Sequence, residues 1–451
     1  MKRNLSTAAV CLSGALVLAG VGYSVLLSPR SAHGQVSTPE RYPEKETYRP
    51  TPVPDRVVLT FAGDPATSQA VTWRTDTSVS SAQAQITEAG AGPDLTAGAR
   101  TIHAASQTLT TDLSTAQYHS VRFEMLRPDT VYAYRVGDGA NWSEWFQFRT
   151  AKSKASPFSF VYFGDAQNDL KSRWSRVIRQ SFTQDSGIRF FIHAGDLINT
   201  RTRDAEWGEW HGAGGWLNGS VPSIPTPGNH EYGRTMLGKP DLSIHWKPQF
   251  TLPENGPESL KETCYYVDYQ GARIVSLNSN EDPGIQARWL EKVLSNNPNR
   301  WTLLTFHHPI LSTAKGRDNA ALRTAWKPVF EKYGVDLVMQ GHDHTYARSN
   351  VVSGEGEIDP KSGTVYVVSV SGPKMYELSR QPWMKRVAEQ TQLYQVIRID
   401  GDTLKYEART AAGVLYDAFE LRKRSGALNR IINQIPETPE RMKVSAPEKK
   451  G

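Results

Sequence analysis

"FFIHAGDLINT", residues 190–200, is an apolar run that ends on Gly195 and Asp196. An unbroken stretch of this kind reads as a strand buried on both faces, as in a parallel sheet. Such a strand gains nothing from a bare carboxylate at its end, so Asp196 asks for a partner. In sheets of this type ligands sit beyond the carboxyl ends of the strands, and the polar residues that close each apolar run are the ones to collect. They are Asp165 after "FVYFG", Asp196, Asn229 and His230 in "PTPGNHEY", His307 and His308 after "TLLTF", and His342 and His344 in "VMQGHDH". Carboxylates, an amide oxygen and imidazoles gathered at one sheet edge suit a pair of metal ions of intermediate hardness.

The rhythm around these residues is strand then helix, from "FSFVYFGD" through "QARWLEKVL" to "VDLVMQGHDH". It predicts an α/β layered domain over residues 156–424, with a mainly antiparallel second half in "GTVYVVSVSG" and "LYQVIRIDGDTLKYEART". Residues 56–151 differ. Short alternating runs such as "RVVLTF", "QAVTWRT" and "VYAYRV", separated by turn residues, predict an all-β antiparallel sandwich. Trp73 and the stretch "LRPDTVYAYRVG" make it resemble a fibronectin type III module.

The chain has 451 residues and a formal charge of +6. Lys2, Arg3 and Arg30 lie in the first thirty residues, and from Arg422 onward bases exceed acids by five, which leaves the body slightly acidic. That distribution argues against a polyanion-binding face, and no nucleic acid partner is expected. Residues 1–34, with Lys2-Arg3 ahead of an apolar stretch from Ala8 to Leu27, read as a signal peptide. The stretch is also long enough to serve as a membrane anchor if it stays uncleaved. Residues 35–55 carry five prolines and read as a tether, and residues 425–451 as a flexible basic tail. Cys264 is the one thiol outside the leader and reads as a core residue.

The dipeptide "GD" occurs five times and alone says nothing. The series "GD", "GD", "GNHE", "HHP", "GHDH", each closing a strand, resembles the calcineurin-like metallophosphoesterases, and the sandwich ahead of it resembles the purple acid phosphatase branch. The resemblance implies two β-sheets flanked by helices and a dinuclear metal centre. It implies hydrolysis of a small-molecule phosphate ester, foremost a phosphomonoester, by a metal-bridging hydroxide. Carried over by position, Asp165 and His344 bind one metal, Asn229, His307 and His342 bind the other, and Asp196 bridges them. His230 would protonate the leaving group or orient the phosphate.

Two positions depart from that branch. The tyrosinate that binds ferric iron three residues after the bridging Asp is replaced by Asn199, and Gln167 stands where the branch has Gly and many relatives have a metal-binding His. Either amide could serve as a ligand or as a turn residue. Without the phenolate, two divalent ions (Mn, Zn or Fe) are expected rather than an iron(III)–tyrosinate centre. His308, Tyr346 and Arg348 are further candidates for lining the site, and Lys315 or Arg317 for holding phosphate. His193 reads as a structural histidine, and Trp207, Trp210 and Trp216 as a helix packing face before a substrate wall. Two rival functions stay open: a phosphodiesterase or nucleotide pyrophosphatase, and a non-catalytic binding protein with a degenerate metal site. A membrane partner is expected only through an uncleaved leader.

Overall fold

Aromatic and β-branched runs set the centre of the fold. In the structure, a computed structural model that describes residues 42–352 and 363–442, Phe158–Phe163, Ile188–His193 and Ser223–Pro225 pair in parallel. Strand alternation turns Phe160 and Phe190 inward, where their rings stack at 4.9 Å. A second sheet has Ala272–Ser276, Trp301–Phe306, Leu337–Gln340 and Thr364–Val368 parallel at its centre. Its inner residues Ile274, Leu303, Met339 and Val367 join Phe160 and Phe190 in one core between the sheets. Outside it, Val275, Leu304 and Val338 pack on Leu290, Trp326 and Phe330 from the helices Pro283–Ser295 and Ala320–Lys332. The first sheet is covered by Trp174 and Trp210, the latter on the helix Asp204–Gly214. The antiparallel strands Leu393–Asp400, Thr403–Thr410 and Leu415–Arg424 extend the first sheet beyond Phe158–Phe163.

The N-terminal sandwich has its own core of Leu59, Val71, Trp73, Val121, Phe123, Tyr134 and Phe148. It is not a separate bead. Its strand Asp55–Thr60 lies beside Ser223–Pro225, joined in parallel at Thr60 and Ser223, so one eleven-stranded sheet runs through both modules. A buried ion network adds to the joint: Arg56 donates to both carboxylate oxygens of Asp204 at 2.7 and 2.8 Å, and Arg74 approaches the same carboxylate at 3.4 Å.

Two expected loose segments are ordered over their described parts. Within the tether, Arg74 donates to the Tyr48 carbonyl at 3.0 Å. The Tyr48 ring fills the place a Gly208 Cβ would take, 2.3 Å from it, so the proline-rich segment is docked by an aromatic anchor. Within the tail, Ala427–Asn433 is an antiparallel strand on Leu415–Arg424, and partly buried Ile431 packs on the main core. Charge did not exclude a strand there because basic residues are at home on a sheet edge. The leader, the start of the tether and the last residues of the tail lie outside the described residues. No helix among the described residues is long and apolar enough to cross a membrane.

Candidate metal centre

The polar residues that close the strands reach the same edge, and the glycines ahead of Asn229 and His342 show how closely. A Cβ on Gly228 would sit 2.1 Å from Asp196 Oδ1, and one on Gly341 would sit 2.2 Å from Asp165 Oδ1. The loops therefore press their backbones against neighbouring carboxylates. Asp196, His342 and His344 themselves take positive φ values of 51°, 73° and 47°. Non-glycine residues rarely adopt that conformation, and here it turns side chains back over the strand ends.

The side chains form two groups whose ligating atoms lie within 4.8 Å of one another: Asp165, Asp196 and His344, and His307, His308 and His342. Asp196 joins them. Its Oδ2 lies 3.1 Å from His307 Nε2 and 2.7 Å from Gln167 Nε2, and Gln167 Nε2 is 3.2 Å from His344 Nε2. Asn229 Oδ1 is 3.0 Å from His307 Nε2, which is 3.1 Å from His342 Nδ1. Backbone carbonyls fix two of the rings. His307 Nδ1 is 2.9 Å from the Ala194 carbonyl and His344 Nδ1 is 2.8 Å from that of Lys374, so Nε2 of each ring is turned to the cluster.

This arrangement calls for positive charge. Asp165 and Asp196 are buried, and Asp165 Oδ2 lies 3.1 Å from His344 Nε2. Burial would raise the Asp165 carboxyl, yet His344 and His307 hold it well below the usual carboxylate range. Burial opposes charge on His307, but Asp196 and Asp165 outweigh it and push this imidazole up to about 9. His308 and His342 are driven down, first by burial and then by the neighbouring His307. Two buried carboxylates facing bare imidazole nitrogens are a donor set that fits divalent cations.

Residues 54–150 match the purple acid phosphatase N-terminal domain, and residues 158–346 match the calcineurin-like phosphoesterases. The chain carries a calcineurin-like phosphoesterase domain. An uncharacterized protein of Mycobacterium tuberculosis is 26% identical over 336 residues, 66% of this chain and 62% of its own. The Fe(3+)-Zn(2+) purple acid phosphatase 12 of Arabidopsis thaliana is 27% identical over 56% of this chain and 59% of its own. The purple acid phosphatase from yellow lupin seeds shares the fold with a TM-score of 0.68 at 18% identity, over 83% of this chain and 75% of that one. The chain spans about 60% of the length of the first curated relatives it matches.

Within the phosphoesterase domain, the remaining expectations divide. Gln167 is buried at the acidic group, where its amide meets Asp196 and His344. His308 joins the histidine group, with Nδ1 2.8 Å from Ser279 Oγ. Asn199 does not face the cluster with its side chain, which donates to Thr200 Oγ1 at 3.3 Å. Its carbonyl instead accepts from His230 Nδ1, so its backbone is what serves the site. Arg348 does not line the site. It is fully buried and makes a bidentate pair with Asp417 at 2.9 and 2.9 Å, joined by the Tyr346 hydroxyl at 2.7 Å. Tyr346 and Arg348 thus belong to a core ion pair between the sheets, because alternation along their strand sends both inward. Arg317 is spent on the His342 carbonyl and Asp343, and Lys315 is exposed. His193, Trp207 and Trp210 are buried in mutual ring contact with their neighbours, the packing face, whereas Trp216 follows the helix and is exposed, with one ring contact, to Phe182.

Glu231, in "GNHE", serves the site although it closes no strand and matches no expected ligand. It is buried and accepts backbone N–H groups from Asp196 and Gly228 at 3.0 and 2.7 Å, and from Leu197 and Ile198 at 2.8 and 3.3 Å. The contiguity of "NHE" was the available signal. One carboxylate stitches the Asp196 loop to the Asn229 loop.

Proposed function

We propose that the protein is an exported hydrolase that cleaves phosphomonoesters with two divalent metal ions, Mn, Zn or Fe. The observation that carries this reading is the position of Asp196, one carboxylate shared by an acidic group and a histidine group. Asp165, His344 and Asp196 would hold one ion, and Asn229, His307, His342 and Asp196 the other. When bound, such a pair supplies acidity to an attacking water and neutralises phosphoryl charge.

The chain's own residues do the rest. His230 gives Nδ1 to the Asn199 carbonyl, and its main-chain N–H donates to Asp196 Oδ1 at 2.9 Å. Its Nε2, 3.9 Å from Asp196 Oδ2, is left facing the cluster. As the water oxygen gives up a proton to solvent and bonds to phosphorus, the ester P–O bond would break and the His230 Nε2–H would pass its proton to the departing alkoxide. A cavity of about 360 Å³ opens beside Asn229 and His308, lined also by Tyr232, Arg234 and Asn280, and would take the organic part of the ester. Export rests on the leader's sequence, and N-terminal sequencing of protein recovered outside the cytoplasm tests it.

The test of activity is metal content together with turnover of a monoester, a diester and a pyrophosphate, on wild type and Asp196→Asn. The variant should lose metal and more than about a thousandfold in monoester turnover. Preference for the diester or the pyrophosphate would replace the monoester reading. Wild-type turnover no higher than the variant's on all three substrates would leave a binding protein instead.

A further inference from the structure

Phosphate binding needs more than metal ions, and the phosphate-holding residues the sequence offered, Lys315 and Arg317, are exposed or already spent. We propose that Lys374 is the cation that receives a phosphoryl oxygen of the substrate, and that it makes the site favour dianionic monoesters. This rests on the hydrolase reading above.

The argument begins with the sheet. Lys374 follows Thr364–Val368, the strand that lies in parallel beside Leu337–Gln340, so its loop emerges at the edge where the other strands deliver their polar ends. The loop is held to that edge by its backbone. Gly372 N–H donates to the Asp165 carbonyl at 2.6 Å, the Lys374 carbonyl faces His344 Nδ1, and Tyr376 N–H donates to the His344 carbonyl at 3.2 Å. The position of Lys374 is therefore tied to two residues of the acidic group.

Its side chain is half-buried and turned toward the cluster. The ammonium donates to Gln167 Oε1 at 3.3 Å, and the Nε2 of that same amide reaches Asp196 Oδ2 and His344 Nε2. Nζ also lies 5.6 Å from the centre of the Tyr376 ring, which packs 4.5 Å from the His344 ring. No carboxylate among the described residues forms an ion pair with it, whereas Arg317, nearby on the same tyrosine, is paired with Asp343. A neutral amide oxygen is a weak partner for an ammonium, and an anionic phosphoryl oxygen is a stronger one. A monoester dianion has three non-bridging oxygens and a diester monoanion has two. If each of the two proposed ions took one phosphoryl oxygen, only the monoester would keep a third, charged oxygen for Lys374.

Lys374→Met and Lys374→Arg in the metal-loaded full chain separate this role from a structural one. Three readouts are needed: metal content, orthophosphate affinity by calorimetry, and kcat/KM for p-nitrophenyl phosphate and bis(p-nitrophenyl) phosphate. In Lys374→Met, metal content should be unchanged, and orthophosphate affinity and monoester kcat/KM should each fall roughly 10- to 100-fold. Diester kcat/KM should fall by less than about threefold, and Lys374→Arg should recover part of the phosphate affinity. Equal losses on both esters, loss of metal, or unaltered orthophosphate affinity would overturn the assignment. So would a wild type that binds no orthophosphate. If the wild type binds orthophosphate through Lys374 yet hydrolyses neither ester, the hydrolase reading fails and the anion site stands.

Discussion

Glu231 shows how much of this site is held by residues that touch no substrate. Its two oxygens accept four backbone N–H groups from the loops that carry Asp196 and Asn229. In Glu231→Gln one acceptor becomes an NH2 group pointed at N–H donors, so the loops must part. Metal affinity should fall about 10- to 100-fold, the scale of outer-shell losses, with the fold retained. Titration with a competing chelator, beside circular dichroism, measures both. The residue at 199 bears on colour. An amide whose side chain turns to Thr200 gives no tyrosinate-to-iron transition, so protein reconstituted with iron should lack an intense visible band in its absorption spectrum. At this scale the sequence was readable wherever an apolar run ended on a polar side chain, since position along a strand fixes which edge that side chain reaches. It misled where the backbone did the work, as at Asn199, and where nearness to a motif suggested a role, as at Arg348.

The helix Asp204–Gly214 is the element on which the two modules meet. Asp204 at its start takes Arg56 and Arg74 from the N-terminal sandwich and lies 3.5 Å from His245. Two residues on, Glu206 accepts the backbone N–H groups of Asn199 and Thr200, both at 2.7 Å. The helix thus links the inter-module ion network to the loop that orients His230. Removing one partner of a buried pair strands the other charge, so Asp204→Asn should cost about 3–5 kcal/mol of stability. Urea unfolding followed by tryptophan fluorescence reads it, and a loss below about 1 kcal/mol would contradict the buried network. The sequence announced this helix through its aromatic spacing. It did not announce the network, whose partners are 148 and 130 positions apart.

At the scale of the whole molecule, acid is the stress to examine. Three histidines away from the metal-binding positions are buried and neutral. Burial pushes His119 down to about 4, and His193 and His211 down to about 3. Their unfolded value is near 6.5, so the unfolded chain binds these protons first as pH falls. Their contribution is present above about pH 6.5 and is lost as pH drops toward 3 to 4. Each group accounts for up to about 1.4 kcal/mol per pH unit inside that window. Below the window in which His307 takes up its own proton, metal-free protein should therefore show a falling urea midpoint from about pH 6 to pH 4.5, and His211→Gln should flatten part of that slope. A flat wild-type profile would contradict it. The two-sheet architecture was legible in the alternation of strand and helix. The continuity of the first sheet across both modules was not, because it depends on the meeting of Thr60 with Ser223, which no local pattern encodes.

That shared sheet governs how the chain can be divided. A cut near residue 152 looks, from composition, like a clean separation of a binding module from an enzyme. It would instead bare Ser223–Pro225 on one fragment and Asp55–Thr60 on the other, each with unpaired N–H and C=O groups and an apolar flank. Open edges of that kind recruit further strands. The N-terminal sandwich is better regarded as the catalytic sheet's own selvedge, the finished border that keeps the fabric from fraying, than as cargo that could be exchanged.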